Sequence, residues 1–127
     1  MLRVLDEINQ PNFGLIYEPA NLMLCGQSYA EDTLRKLQPH LMNVYVQNHR
    51  LDVQGPVQLP TFCRGDVRFH HLHIWEQGGV EFESVFQGLQ SIDYSGNFTI
   101  HQAQGIQSVE DAAAFAERCR TFVQPWL

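Results

Sequence analysis

Two spacings of hydrophobic residues alternate along the chain, one typical of strands and one typical of helices. Strand-like runs occupy residues 13–18, 41–47 and 97–102. Apolar residues at helical spacing occupy residues 4–8, 29–38, 82–89 and 108–122. A helix followed by three strand–helix units is typical of a parallel sheet covered by helices, so the sequence predicts the α/β class.

Two of the predicted helices carry a capping signal at their start. Ser28 followed by Glu31 has the form of a capping box, and Ser108 with Asp111 opens the last helix in the same way.

The residues between the first strand and Gly26 are predicted to form a loop.

A long connection is predicted between residues 48 and 79, where Gly55, Pro56 and Pro60 interrupt any regular pattern. Residues 67–75 are expected to be extended inside it. So long a connection is unusual in a compact domain unless it covers a site.

The second and third strands are apolar on one side only. Val44 and Val46 alternate with polar residues, whereas strands of a parallel sheet covered on both sides are almost continuously apolar. The polar side chains expected to share the other face are Asn43, Tyr45, Gln47, Thr99 and His101. We expect this face to line the interior of a barrel, the alternative being the exposed face of a small sandwich.

Length and charge narrow the classes of function. The chain has 127 residues, enough for one domain, and a net charge of −6 with a single lysine, Lys36, so nucleic acid is not an expected partner. Three cysteines at Cys25, Cys63 and Cys119 give neither a disulfide framework nor a zinc knuckle. No signal peptide or membrane-length apolar run is visible, and we expect a cytoplasmic protein without a membrane partner.

Four short motifs resemble one family in order and spacing. Residues 18–21 (EPAN) match Asp-Pro-Ala-(His or Asn) at a strand end, and residues 43–48 (NVYVQN) match His-Val-(His or Tyr)-Val-Lys-Asp. Residues 76–82 (EQGGVEF) are similar to Gly-x-Gly-x-Ile-Asp-Phe, and residues 93–96 (DYSG) to Gly-Tyr-x-Gly before a strand that ends in Glu. Together they resemble the C-terminal part of the sugar phosphate isomerase and epimerase family, which has a xylose isomerase-like barrel.

The resemblance implies a partial (β/α)8 TIM barrel, in which residues 1–127 form the last three βα units with parallel strands. Three strands cannot close a barrel of eight, and a barrel of this kind has roughly 250 residues. We therefore expect a missing N-terminal half of the barrel, or a second copy in a homo-oligomer, to cover the open sheet edges.

The resemblance also implies an activity: isomerisation or epimerisation of a sugar or sugar phosphate, by metal-assisted proton transfer next to a carbonyl. The family's strand-end Asp falls at Glu18, its histidine at Tyr45 and its last Glu at His101. Glu18 and His101 are the predicted catalytic residues, although Glu18 has an alternative role as a helix cap. Tyr45, Gln47, Arg50 and Gln102 are the predicted substrate-binding residues.

The predicted cofactor is a divalent metal, Mn, Mg, Co or Zn, held by Glu18, His49 and His101. The substitutions at Tyr45 and His101 leave two alternatives open. One is a non-catalytic carbohydrate-binding or regulatory relative, and the other is an incomplete barrel fragment without independent activity.

Two further signals are weaker. His71 and His73, two residues apart on an extended segment, could chelate a metal, or could simply pack in the loop with Trp75. Gly78 and Gly79 before a helix could bind phosphate, although a glycine turn needs no ligand.

Overall fold

The helices and strands build two separate sheets. The computed structural model describes residues 2–102 and 104–126, and within these residues one three-stranded sheet is parallel and a second three-stranded sheet is antiparallel. The strands are β1 (Leu15–Tyr17), β2 (Leu41–Val46), β3 (Asn48–Leu51), β4 (Val57–Thr61), β5 (Gly65–Leu72) and β6 (Asn97–Ile100). The helices are α1 (Leu2–Ile8), α2 (Pro19–Leu24), α3 (Glu31–Leu37), α4 (Phe82–Ser91) and α5 (Val109–Val123), with 3-10 turns at Gln38–His40 and Gln124–Trp126. In this part of the chain, no helix is both long enough and apolar enough to cross a membrane.

The parallel sheet confirms the predicted α/β class and the parallel pairing of the three predicted strands. β2 lies in the middle, and its Tyr45 pairs with Thr99 of β6. Val44 and Val46 are fully buried in the main core. The helices contribute to the same core Ala20, Leu34, Leu37, Val85, Phe86, Leu89, Cys119 and Val123. Burial of each valine stabilises the fold by about 1.5–3 kcal/mol. A slip of one residue in the register of β2 would expose both valines and is therefore disfavoured.

The antiparallel sheet replaces the expected long connection. β5 pairs with β3 on one side and with β4 on the other. The predicted extended segment is confirmed by β5 up to Leu72, but the prediction of a long connection around it was wrong. Pro60 is tolerated because β4 is an edge strand, where the missing N–H faces away from the sheet. Val67 and Phe69 of β5 form a second, smaller core with Leu24.

Helix α2 was predicted to be a loop, which was wrong. Pro19 occupies its first turn, where the absent N–H costs nothing, and Ala20 and Leu24 are buried. Its apolar residues, and not a capping side chain, hold it in place.

One of the two capping predictions is confirmed. The Ser108 hydroxyl accepts a hydrogen bond from the backbone N–H of Asp111 at 3.0 Å, at the start of α5. The proposed capping box at Ser28 was wrong, because α3 begins at Glu31 after Ala30 and the Glu31 carboxylate binds Arg35 instead.

Asn48, at the start of β3, joins the two sheets to the segment before α4. Its side chain is fully buried and donates to the carbonyls of His73 (2.9 Å) and Glu76 (2.8 Å). Its amide oxygen accepts from the N–H of Val80 at 2.9 Å. A Cβ at position 79 would lie 2.1 Å from that oxygen, so Gly79 has a packing role that requires no phosphate.

A cross-strand histidine pair lies in the antiparallel sheet. His49 of β3 is opposite His71 of β5, and their Nδ1 atoms are 3.2 Å apart. His49 is buried and packs on the Phe69 ring. Burial, and secondly the neighbouring His71, lower the pKa of His49 from 6.5 to about 4.

We predict that Asn48→Ala lowers the free energy of unfolding by about 3 kcal/mol or more, because three backbone groups lose their buried partner. Urea denaturation measures the loss. Asn12→Ala, at an exposed asparagine, is the matched control and is expected to stay within about 0.5 kcal/mol of wild type. Equal effects of the two substitutions would contradict the joining role of Asn48.

We also predict that His49 makes the fold sensitive to acid. A histidine with a lowered pKa stays neutral in the folded protein, while the same histidine in the unfolded chain takes up a proton. Its contribution to the free energy of unfolding is therefore complete above about pH 6.5 and is lost as the pH falls towards 4. Between pH 7 and pH 4.5 the wild type is expected to lose about 2.5 kcal/mol more than His49→Phe. Urea denaturation at both pH values tests this; identical losses in the two proteins would refute it.

Candidate functional site

The carboxyl ends of the parallel strands bring two predicted catalytic residues into contact. Glu18 follows β1 directly, and His101 follows β6. Glu18 Oε1 and His101 Nδ1 are 2.8 Å apart, although the residues are 83 positions apart in the chain. The contact arises because the ends of parallel strands meet at one edge of the sheet.

Glu18 and His101 differ in exposure. The Glu18 side chain is 12% exposed and that of His101 is 49% exposed, so the imidazole and not the carboxylate presents the larger surface to a ligand. The other Glu18 carboxylate oxygen accepts from the Asn21 side-chain amide. Glu18 stands at the N-cap position of α2, but its side chain makes no capping hydrogen bond there.

Tyr45 completes the site from the central strand. Its ring centroid is 4.8 Å from that of His101, and the rings are tilted by 46°. On the same face, the Asn43 amide donates to the Thr99 hydroxyl at 3.3 Å. Four of the residues expected to share the polar face therefore do so, and Gln47 follows the end of β2, partly buried.

A cavity of about 330 Å³ adjoins the pair. It is within the size range of pockets that bind small molecules. Its polar lining includes Glu18, Tyr45 and His101, and its apolar lining includes Ile16 and Leu22.

The predicted metal set of Glu18, His49 and His101 is not assembled. The chain leaves the parallel sheet after β2, and pairing of β3 with β5 directs the His49 ring to His71. Within residues 2–102 and 104–126, no three His, Cys, Asp or Glu side chains are grouped so that they could hold a metal. The other predicted metal-binding pair, His71 and His73, is also directed to other partners. His71 contacts His49, and His73 stacks on Trp75 with ring centroids 4.6 Å apart.

Two of the predicted substrate-binding residues have other surroundings. Arg50 is exposed and pairs in register with His70, on the face of β3 opposite to His49. The Gln102 side-chain oxygen accepts from the backbone N–H of Asn48 at 3.1 Å, which links the end of β6 to the start of β3. Tyr45 is the member of the set that lies against His101.

Sequence reasoning gave no role to Asn21 or Asn48. Asn21 lies three residues after Glu18 at the start of a helix, a spacing that brings side chains together, so its contact could have been found. Asn48 acts through partners 25 to 32 residues away, and no local pattern indicates such contacts.

Comparison with known proteins identifies the fold and no more. No family model and no curated protein matches the chain. Among solved structures, the crystal structure of a xylose isomerase domain protein from Planctomyces limnophilus matches with a TM-score of 0.65 and 22% identity, over 98% of this chain. The chain spans 40% of the length of that protein. We conclude that this chain has a xylose isomerase-like fold.

Proposed function

We propose that the protein is a sugar or sugar-phosphate isomerase or epimerase-like protein, which moves a proton at a carbon next to a carbonyl. The hydrogen-bonded Glu18–His101 pair, at the end of a parallel sheet of xylose isomerase-like fold, is the observation that supports it most. Proton transfer of this kind requires a positioned base within reach of the C–H bond.

His101 is the proposed base. With Nδ1 held by the Glu18 carboxylate, the imidazole carries its proton on that nitrogen, and the lone pair of Nε2 lies on the opposite side of the ring. Nε2 would take the proton from the substrate carbon, and the electron pair of the broken C–H bond would move to the carbonyl oxygen to give an enediolate. In an isomerase, the proton of the neighbouring hydroxyl would then move to the former carbonyl oxygen, and the imidazolium would return its proton to the former carbonyl carbon. The carbonyl is thereby shifted by one carbon. Glu18 is a positioning residue that stabilises the imidazolium.

Tyr45 is proposed to bind the sugar. An aromatic ring offers an apolar surface to the C–H bonds of a sugar, and its hydroxyl can donate to an oxygen. Its position against the His101 ring would hold the substrate beside Nε2.

The described residues do not fit a complete metal centre. The Glu18 carboxylate and the His101 imidazole are ligand types that bind Mn, Co and Zn. His49, however, contacts His71, and no third ligand is grouped with Glu18 and His101 among the described residues. The proposed roles of these residues therefore involve no metal, and the divalent cofactor stays a prediction that needs ligands from outside this set.

A non-catalytic carbohydrate-binding or regulatory role is the second candidate. The neighbouring rings of Tyr45 and the half-exposed His101 favour it, because an aromatic surface binds a sugar without any proton transfer. An incomplete barrel fragment without independent activity is the third possibility from the sequence.

We further propose that β1 and β6, the edge strands of the parallel sheet, are covered by other βα units or by a second copy, as in a closed barrel. The expected result for the isolated chain is self-association that increases with concentration, measured by sedimentation velocity. A strictly monomeric chain at all concentrations would contradict this proposal.

Solvent exchange tests the proposed chemistry. With D-xylose, D-fructose and D-ribulose 5-phosphate in deuterated water, NMR is expected to show the wild type replacing hydrogen by deuterium next to the carbonyl. His101→Asn should slow this exchange by about 100-fold or more, and Glu18→Gln should slow it less. His40→Asn is the matched control, because His40 also lies 3.0 Å from a carboxylate, that of Asp6.

The outcomes separate the two candidates. Deuterium exchange that persists in His101→Asn would refute the role of His101 as the base. Sugar binding that depends on Tyr45, without exchange, would support the carbohydrate-binding role and contradict the enzymatic one. Absence of both binding and exchange with all three sugars would overturn the proposed function.

A further inference from the structure

The cross-strand pair of His49 and His71 lies outside the proposed site and is not used by its chemistry. Residues directly opposite in antiparallel strands have their side chains on the same face and close together. Here the two Nδ1 atoms are 3.2 Å apart, with ring centroids 4.9 Å apart and planes at 61°. One nitrogen donates to the other, so only one proton lies between the rings.

The separation of these nitrogens suits a shared metal ion. Imidazole nitrogens bind Zn²⁺ at 2.0–2.1 Å, so two nitrogens 3.2 Å apart would subtend an angle of about 100° at the ion. That angle is near the tetrahedral value and also within reach of square-planar geometry.

The surroundings also favour binding of a metal. His49 is buried and fixed against Phe69, whereas His71 is exposed, so one ligand is rigid and the other is open to solvent. On metal binding, the Nδ1 proton between the two rings would move to the Nε2 of its own ring, which frees both Nδ1 lone pairs for the metal. His70 and Asp52 bind each other through His70 Nε2, and in the pleat His70 lies on the other face of β5.

We propose that His49 and His71 chelate one divalent transition-metal ion of the Zn²⁺, Ni²⁺ or Cu²⁺ class, which ties β3 to β5. Solvent or an exogenous ligand completes the coordination on the side of His71. The site is independent of Glu18 and His101, and it does not depend on the proposed isomerase or binding function.

Calorimetric titration with ZnCl2 and with NiCl2 tests the site, in a Cys63→Ser background that removes the exposed thiol. One equivalent of metal is expected to bind. His71→Ala, at an exposed position that the fold tolerates, should weaken the affinity by about tenfold or more. His70→Ala, its neighbour on the opposite face, is the matched control and should bind as wild type does.

Spectroscopy adds a readout that a structural role would not change. With CuCl2, electron paramagnetic resonance of the wild type should show two coordinated nitrogens, and His71→Ala should show fewer. Deuterium exchange into sugars should be unchanged in His71→Ala, so failure of the metal site and failure of the proposed function are distinguishable.

Three results would overturn the proposal. The first is no saturable binding at metal concentrations up to about 1 mM. The second is unchanged affinity in His71→Ala, or an equal loss in His70→Ala. The third is loss of the metal in His101→Asn but not in His71→Ala, which would assign the ion to the edge of the parallel sheet.

Discussion

Burial of alternate residues in the central strand β2 is the constraint on which the rest of the structure depends. Val44 and Val46 are fully buried beneath the helices, so Tyr45 between them must lie on the other face. Parallel pairing with β1 and β6 then brings the residues that follow those strands to the same edge. The contact between Glu18 and His101 is thus a consequence of strand register, since neither residue has a local reason to meet the other.

The antiparallel sheet is attached to the same strand. Only Gln47 separates β2 from β3, and the buried amide of Asn48 fixes the segment that leads from the sheet to α4. The chain therefore passes from the parallel sheet directly into the antiparallel sheet at the carboxyl end of β2. This change of sheet explains why His49, close in sequence to Tyr45, has its contacts in a different sheet.

Much of the parallel sheet could be predicted from the sequence, because alternation in β2 and β6 and the order of the elements are local signals. The family resemblance grouped Glu18 with His101, and the meeting of parallel strand ends at one edge accounts for their contact. The antiparallel sheet could not be predicted in this way: Pro60 and Gly65 interrupt its pattern, and the pairing of His49 with His71 depends on a register that no local signal specifies. Helix α2 was missed because six residues with a proline at the start and no capping side chain resemble a loop.

The proposed proton transfer requires a His101 imidazole whose tautomer is set by Glu18, and nitrogen NMR measures this tautomer directly. In long-range proton–nitrogen spectra of uniformly labelled protein, His101 is predicted to carry its hydrogen on Nδ1, with an unprotonated Nε2. Glu18→Gln should remove this preference, because an amide can donate as well as accept. A His101 ring with its hydrogen on Nε2, unchanged by Glu18→Gln, would contradict the role of Glu18 in setting the tautomer.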